Sequence, residues 1–267
     1  MSPAPLPTIT VVTVCRNALA LLRPTVESVL RQEYPALEYW IVDGASSDGT
    51  REYLESLAAR GVRFVSERDR GIADAMNKGA RLATGEWVAH LHAGDAYLEG
   101  TLDAVAAAAR AADADVLCGS IRKDEERGRT LYHPEPRRLP LDMTIHHPAT
   151  WTRRGIFERL GGFDERYPNA MDYDFFLRAH AAGARFAIVP GVLASMATGG
   201  QSERSLWITM RETHAIRRRV LARGVGRSPA YLGWLLARGA ARRGLQRAGM
   251  GGLVAWFRRR FALARKD

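Results

Sequence analysis

The order of patterns along the chain predicts an α/β fold, a mostly parallel sheet covered by helices, followed by a basic helical extension. Three observations carry this prediction. β-branched apolar runs alternate with segments of helical spacing from Thr8 to Cys118. The strand-like runs over the first ninety residues close in polar turns of Gly, Ser, Asn and Asp. The charge is also unevenly divided: residues 1–200 carry 23 Lys+Arg against 26 Asp+Glu, whereas residues 201–267 carry 16 against 3. A net −3 body with a net +13 tail predicts two units, 1–202 and 203–267.

Thr8 to Val14 has the composition of a buried parallel strand, and Pro24 to Arg31 follows with helical spacing and a proline in its first turn. The alternation then repeats as strand Glu38–Val42, turn Asp43–Gly49, helix Thr50–Ala59, strand Val62–Ser66, helix Ile72–Leu82 and strand Glu86–Leu91. An Ala-rich helix (Thr101–Ala112) and a short strand (Asp115–Cys118) come next. The charged, proline-containing stretch from Ile121 to Pro140 reads as a loop or hairpin insertion. A short helix ends at Gly161-Gly162, and a last one runs from Ala170 to Ala182. In an open parallel sheet, ligands bind beyond the carboxyl ends of the strands. The turns Cys15–Asn17, Asp43–Asp48, Glu67–Arg70 and His92–Asp95 should therefore meet at one crevice.

Composition excludes other classes. A chain of 267 residues that is 46% hydrophobic and 25% charged buries a sizeable core, unlike a disordered or collagenous one. Cys15 and Cys118 lie in apolar strand-like runs, which predicts buried free thiols and a reducing compartment. The segment from Met1 to Pro7 has neither the basic nor the apolar region of a secretory signal, and no window reaches the roughly 18 apolar residues of a spanning helix. No Gly-x-Gly-x-x-Gly follows the first strand and no Walker loop occurs, which argues against dinucleotide oxidoreductases and P-loop NTPases.

Five stretches together resemble a known family. They are Thr10-Val-Val-Thr-Val-Cys-Arg-Asn17, Val42-Asp-Gly-Ala-Ser-Ser-Asp-Gly-Thr50, Ser66-Glu-Arg-Asp-Arg-Gly-Ile-Ala-Asp-Ala-Met-Asn-Lys-Gly79, Gly85-Glu-Trp-Val-Ala-His-Leu-His-Ala-Gly-Asp95, and Gly161-Gly-Phe-Asp-Glu165 with Met171-Asp-Tyr-Asp174. In this order and spacing they are similar to family 2 glycosyltransferases of the GT-A fold, a Rossmann-like sheet with helices on both faces. The nearest flavour is that of bacterial exopolysaccharide, capsule and O-antigen synthesis. The resemblance covers residues 8–200.

Sugar transfer from a nucleoside diphosphate needs a clamp on base and ribose, positive charge on the departing diphosphate, and a carboxylate to take the acceptor proton. The resemblance implies a role for each candidate. Asp43 contacts the nucleotide base, while Asp48 reads as the cap of the following helix. Asp69, Arg70 and Lys78 serve the nucleotide and its diphosphate, their alternative being a solvated turn and helix face. Asp95 is the retained acid of the family's D-x-D-type motif and implies a Mn2+ or Mg2+ ion; His92 and Gly94 depart from that motif. Asp172 matches the family's general base, with Met171 in place of a glutamate. Asp174, two residues on in a helix, points about 200° away and cannot pair with it. His146, His147 and Trp151 are candidates for an acceptor-sugar subsite, or else for loop and core positions.

The donor is expected to be a UDP-sugar, or a GDP- or dTDP-sugar, and the acceptor a saccharide carried on a polyprenyl lipid. Residues 203–267 read as three helical stretches. In the last, Leu253, Val254, Phe257, Phe261 and Ala264 share an arc opposite Arg258, Arg259 and Arg265, the pattern of a helix lying in an anionic membrane interface. The expected location is the cytoplasmic face of the cell membrane, with no nucleic-acid partner. Two other readings stand beside this one: a metallohydrolase built on His90, His92 and Asp95, with both imidazoles on one strand face, and a basic nucleic-acid-binding protein.

Overall fold

The computed structural model describes residues 5–125, 128–198, 205–224 and 227–231, with 233, 234, 236, 237 and 244. Strands β1 (Ile9–Cys15), β2 (Leu37–Asp43), β3 (Val62–Ser66) and β4 (Trp87–His90) form a parallel set in the order β3-β2-β1-β4. Every residue of β1 is buried, as a central strand covered on both faces requires. Its side chains alternate between two cores. Ile9, Val11 and Cys15 face helices α1 (Leu19–Leu30), α2 (Thr50–Ser56) and α4 (Thr101–Ala111), while Val12 and Val14 face α3 (Ile72–Leu82), α5 (Arg154–Leu160) and α6 (Met171–Ala181). Helix α3 packs so closely on β1 that a Cβ at Gly79 would collide with Val12.

Beyond β4 the sheet changes character. Strand β5 (Ala96–Tyr97) pairs antiparallel with β9 (Phe186–Ser195), β6 (Val116–Glu125) with the hairpin strand β7 (Gly128–Tyr132), and β8 (Thr150–Arg153) lies antiparallel between β4 and β6. β6 and β9 are parallel, with a register shift near Ser120. The resulting curled sheet is the GT-A arrangement expected from the motifs.

Two features differ from the sequence reading, and one alternative it left open is decided. Helix α1 starts at Leu19, five residues before Pro24, so the proline sits inside the helix. The missing N–H leaves the Ala20 carbonyl without its helical donor, a defect tolerated on a helix held down by buried Leu22, Val26 and Val29. Of the two forms expected for the stretch from Ile121 to Pro140, loop or hairpin, the structure has the hairpin, β6 running on to Glu125 and pairing with β7. Finally, α7 (Leu206–Val220), which the sequence reading assigns to the tail, packs against α6, with Ile216 fully buried in the second core. The first helix of the basic segment is thus built into the α/β body. The arc from Leu253 to Ala264 lies outside the described residues. Both cysteines are free and buried.

Candidate active site

The carboxyl ends of β1, β2 and β3 are in register, with Cys15 beside Asp43 and Asp43 beside Ser66, so their turns emerge together. The turns are stitched to each other. Asn17 N–H donates to Ser46 Oγ at 2.7 Å, Ser47 N–H to Asn17 Oδ1 at 2.8 Å, and Leu19 N–H to Asp48 Oδ2 at 3.0 Å. Asp48 also caps α2 through Thr50, whose hydroxyl donates to it at 2.6 Å. These bonds, the Leu19 amide first and the Thr50 hydroxyl next, hold its carboxyl below the usual range. Asp43 is fully buried and accepts from Ser46 N–H at 3.1 Å, from the Ser46 hydroxyl, and from Ser66 Oγ at 2.6 Å. Asp69 is half-buried, caps Gly71 N–H at 3.0 Å, and lies so close over Gly44 that a Cβ there would strike it.

Arg70 and Lys78 gather around Asp74 in the first turn of α3. Arg70 is exposed and reaches both oxygens of Glu165, at 2.9 and 2.8 Å, and Asp74 at 2.9 Å. The Glu165 hydrogen bond, and then the charges of Asp74 and Glu165, raise its already high pKa further. Lys78 donates to the Arg68 carbonyl at 2.7 Å and pairs with Glu67 at 2.8 Å. Each cation therefore has a protein partner that an incoming diphosphate would have to displace.

The second half of the site depends on β8. Because β8 runs antiparallel to β4, with Trp151 beside Ala89, the residues just before β8 meet those just after β4. His147, at the start of a single 3₁₀ turn (His147–Ala149), is thereby brought against the His92–Asp95 turn. His92 and His147 face each other with ring centroids 4.2 Å apart, and His147 Nε2 lies 3.3 Å from Asp95 Oδ2. Its other nitrogen, Nδ1, lies 3.7 Å from Asp172 Oδ2 in the first turn of α6. Asp95 is held from two sides: its Oδ1 accepts from Ala197 N–H at 2.9 Å, and its carbonyl from Thr25 Oγ1 at 2.7 Å. One buried imidazole thus joins the two acids that the sequence assigns to separate jobs.

His92, Asp95 and His147 each offer one ligand atom, all within 4.8 Å of one another. His92 Nε2 is buried without a hydrogen-bond partner, and His147 Nε2, although near Asp95, lies off a hydrogen-bond axis. Burial, then the neighbouring His147 and His90 rings, keep the His92 imidazole neutral by pushing its pKa well down. Burial opposes charge on His147 as well, but Asp172 and Asp95 outweigh it and push its pKa up to about 9. Two imidazoles and a carboxylate, with the His92 Nε2 left unpartnered, fit a divalent transition ion that takes the place of the His147 proton.

The structure separates His90 from this group. Strand β4 ends at His90, so the alternation that would place it beside His92 does not continue. His90 Nε2 meets the Met76 carbonyl at 3.1 Å, and its ring packs on Phe157 and Phe163. The His90/His92/Asp95 hydrolase constellation is not formed. Trp151 is fully buried beside Tyr97 and lines no surface. Asp174 turns inward, as its spacing from Asp172 requires, and pairs with Arg178 at 2.8 Å and with Arg219. The sequence reading assigns the ion to Asp95 alone, with His92 as a departure from the motif and His147 as an acceptor-subsite candidate; what brings the two imidazoles to Asp95 is an antiparallel strand, β8, that carries no motif.

The family model for glycosyl transferase family 2 matches residues 10–183, which hold every turn just described. The chain belongs to glycosyltransferase family 2. It is 34% identical over 167 residues to a PGL/p-HBAD biosynthesis glycosyltransferase of Mycobacterium bovis, covering 61% of this chain and 65% of that relative's length. It is 30% identical over 170 residues to the chondroitin synthase of Escherichia coli, covering 59% of this chain and 24% of the synthase. Among solved structures, a mannosyltransferase from Pyrobaculum calidifontis in complex with GDP-Man and Mn2+ superposes with a TM-score of 0.67 at 23% identity, over 94% of this chain and 79% of that one. S. aureus TarS in complex with UDP-GlcNAc superposes with a TM-score of 0.66 at 18% identity, over 84% of this chain and 69% of that one. These two likenesses establish the shared fold.

Proposed function

We propose that this family 2 chain transfers a sugar from a nucleoside-diphosphate sugar to a saccharide hydroxyl by a single inverting displacement. The observation that carries the reading is the meeting of Asp95 and Asp172 on the two nitrogens of His147. It puts the acid expected beside the leaving diphosphate next to the acid expected beside the acceptor. Asp172, about a quarter exposed, accepts the acceptor proton. Asp43 and Asp69 face the nucleotide from interlocked turns, and Arg70 and Lys78 exchange carboxylate partners for phosphate oxygens. His92, Asp95 and His147 would hold a divalent cation, and such an ion supplies positive charge to the leaving diphosphate when bound. With two nitrogen donors the site favours Mn2+ over Mg2+, a harder, oxygen-seeking ion.

The donor nucleotide is UDP, GDP or dTDP; the complexes of TarS with UDP-GlcNAc and of the mannosyltransferase with GDP-Man support the first two. A polyprenyl-linked saccharide acceptor at the cytoplasmic membrane face, in surface-polysaccharide synthesis, follows from the basic tail. Among the described residues no helix is long and apolar enough to cross a membrane. Basic residues near an anionic leaflet contribute up to about 1 kcal/mol each.

The test is calorimetric titration of the purified chain with UDP-, GDP- and dTDP-sugars, with and without Mn2+. Tight binding of one nucleotide class that needs Mn2+ is expected; indifference to all three overturns the reading. Co-sedimentation with phosphatidylserine vesicles across a salt series tests the membrane part. Loss of binding as salt rises is the expected result.

A further inference from the structure

Helix α7 lies beyond the segment matched by the family, yet its polar side chains converge on the first turn of α6. Glu212 accepts from the backbone N–H of Asn169 at 3.0 Å and from its side-chain amide at 3.3 Å. Arg217, 1% exposed, donates through Nε to the Tyr173 hydroxyl at 3.0 Å, and that hydroxyl donates to the Leu139 carbonyl at 2.8 Å. The Arg217 guanidinium also lies over the Tyr173 ring at 5.6 Å and the Tyr231 ring at 5.5 Å. Arg219 pairs with the fully buried Asp174 and donates to Asp164 at 2.8 Å. Asn169, Tyr173 and Asp174 flank Asp172 on both sides in the chain.

Apolar packing of the kind Ile216 provides would suffice to keep α7 on α6. Burying a guanidinium and an ion pair adds a desolvation cost that attachment alone does not require. Directional bonds to a backbone amide, a phenol and a carboxylate do what apolar contacts do not: they fix how far α6 is advanced and how it is turned about its axis. That setting decides where the Asp172 carboxylate sits relative to His147, and a displacement of about 1 Å in a reacting group costs up to about 10²-fold in rate.

We infer that Glu212, Arg217 and Arg219 are positioning residues for Asp172, so that α7 sets the geometry of the proton-accepting carboxylate. The inference rests on the reading of Asp172 as the base. Glu212 and Arg219 are the ties open to test, since Arg217 also fills the core.

The experiment uses the full chain with Mn2+ and either UDP-GlcNAc or GDP-mannose, and follows nucleotide release with water as the acceptor. Arg219→Ala and Glu212→Gln should each lower turnover by about 10-fold with the donor KM changed less than about twofold, and Arg219→Lys should restore part of the loss. In an Asp172→Asn background, Arg219→Ala should cause no further loss, because a residue that acts through the carboxylate has nothing left to position. If Arg219→Ala multiplies the Asp172→Asn loss, or raises the donor KM in step with the fall in turnover, α7 acts on the fold and the inference is overturned. The mild Glu212→Gln change keeps the test valid should Arg219→Ala destabilise the chain. Near-normal turnover in Asp172→Asn alone overturns the base assignment, an outcome distinct from failure of the clamp.

Discussion

The two halves of the site are held in opposite ways. On the side proposed for the nucleotide, Asp43, Asp48 and Asp69 each sit in the turn after a strand; Asp43 accepts from Ser66 and Asp48 from Leu19 in neighbouring turns, and Asp69 caps its own turn at Gly71. On the side proposed for catalysis, His147 comes before its strand, Asp95 is pinned by Ala197 a hundred residues away, and Asp172 lies in a turn gripped by α7. The first half is assembled by neighbours in a parallel sheet, and the second by contacts that cross the fold. A site of the first kind tolerates changes elsewhere; one of the second kind inherits every distant displacement.

Predictions that would break or sharpen this contrast run from large to small. Asp172→Asn should cut turnover by about 10²-fold or more while leaving nucleotide-sugar affinity within a few-fold, measured by nucleotide release and by calorimetry. Equal losses in both would make Asp172 a donor-side residue. Truncation before α7, at residue 203, exposes the Ile216 pocket and leaves Asp174 without Arg219. Large-to-small changes at comparable core sites cost about 2–5 kcal/mol, so this chain should unfold or melt many degrees lower. Truncation after residue 231 should leave the melting midpoint nearly unchanged, and calorimetric scans of the two decide the matter.

His147→Ala and His92→Ala should each weaken Mn2+ binding by at least about 10-fold, read by electron paramagnetic resonance of free Mn2+ without donor or acceptor. Unchanged Mn2+ affinity would leave Asp95 as the protein's contribution. Gly44→Ala introduces a Cβ against Asp69 and Arg16, so the nucleotide side should lose donor affinity together with about 1–3 kcal/mol of stability. If stability falls but affinity holds, Asp69 lies outside the nucleotide pocket.

The smallest expected effect concerns Asp164, whose carboxyl is held well below the usual range by Arg166 first, with Arg219 adding to it against a burial penalty. A folded pKa below the unfolded value of about 3.9 gives stability that is present above that value and fades as the pH falls through the folded one. Asp164→Asn should therefore lower the melting point at pH 7 by a few degrees, with the difference closing below about pH 4. A gap that stays the same size from pH 7 down to pH 2.5 would assign the effect to packing.

What could be read in the sequence follows the same division. Val42-Asp-Gly-Ala-Ser-Ser-Asp-Gly-Thr50 and the run from Ser66 to Gly79 announce their turns because local backbone needs dictate those residues: a buried acid at a strand end, a cap for α2, a glycine where Asp69 closes over Gly44. β1 to β4 and α3 were legible from period and composition to within a residue or two. β8 and β9 were not, since four residues of Thr-Trp-Thr-Arg carry no pattern and their pairing is set by partners more than thirty residues away. For the same reason Asp95 and Asp172 were found as separate acids, whereas the imidazole between them emerged with the fold. Arg217 shows the limit most plainly: in a segment dominated by arginine, nothing local marks the one that turns inward to Tyr173.

The tie between Arg219 and Asp174 spans 45 residues and runs from late in the chain to early. At about 5–20 residues per second, a ribosome takes roughly 2–9 s to make that stretch. During that interval the strands and turns that would grip a nucleotide have all been synthesised, while the acid that would spend it has not yet been set in place. A chain that ends inside this interval has neither Arg219 on Asp174 nor Ile216 in the second core, so the last described helix to be made is the one that completes the packing of the turn that carries Asp172.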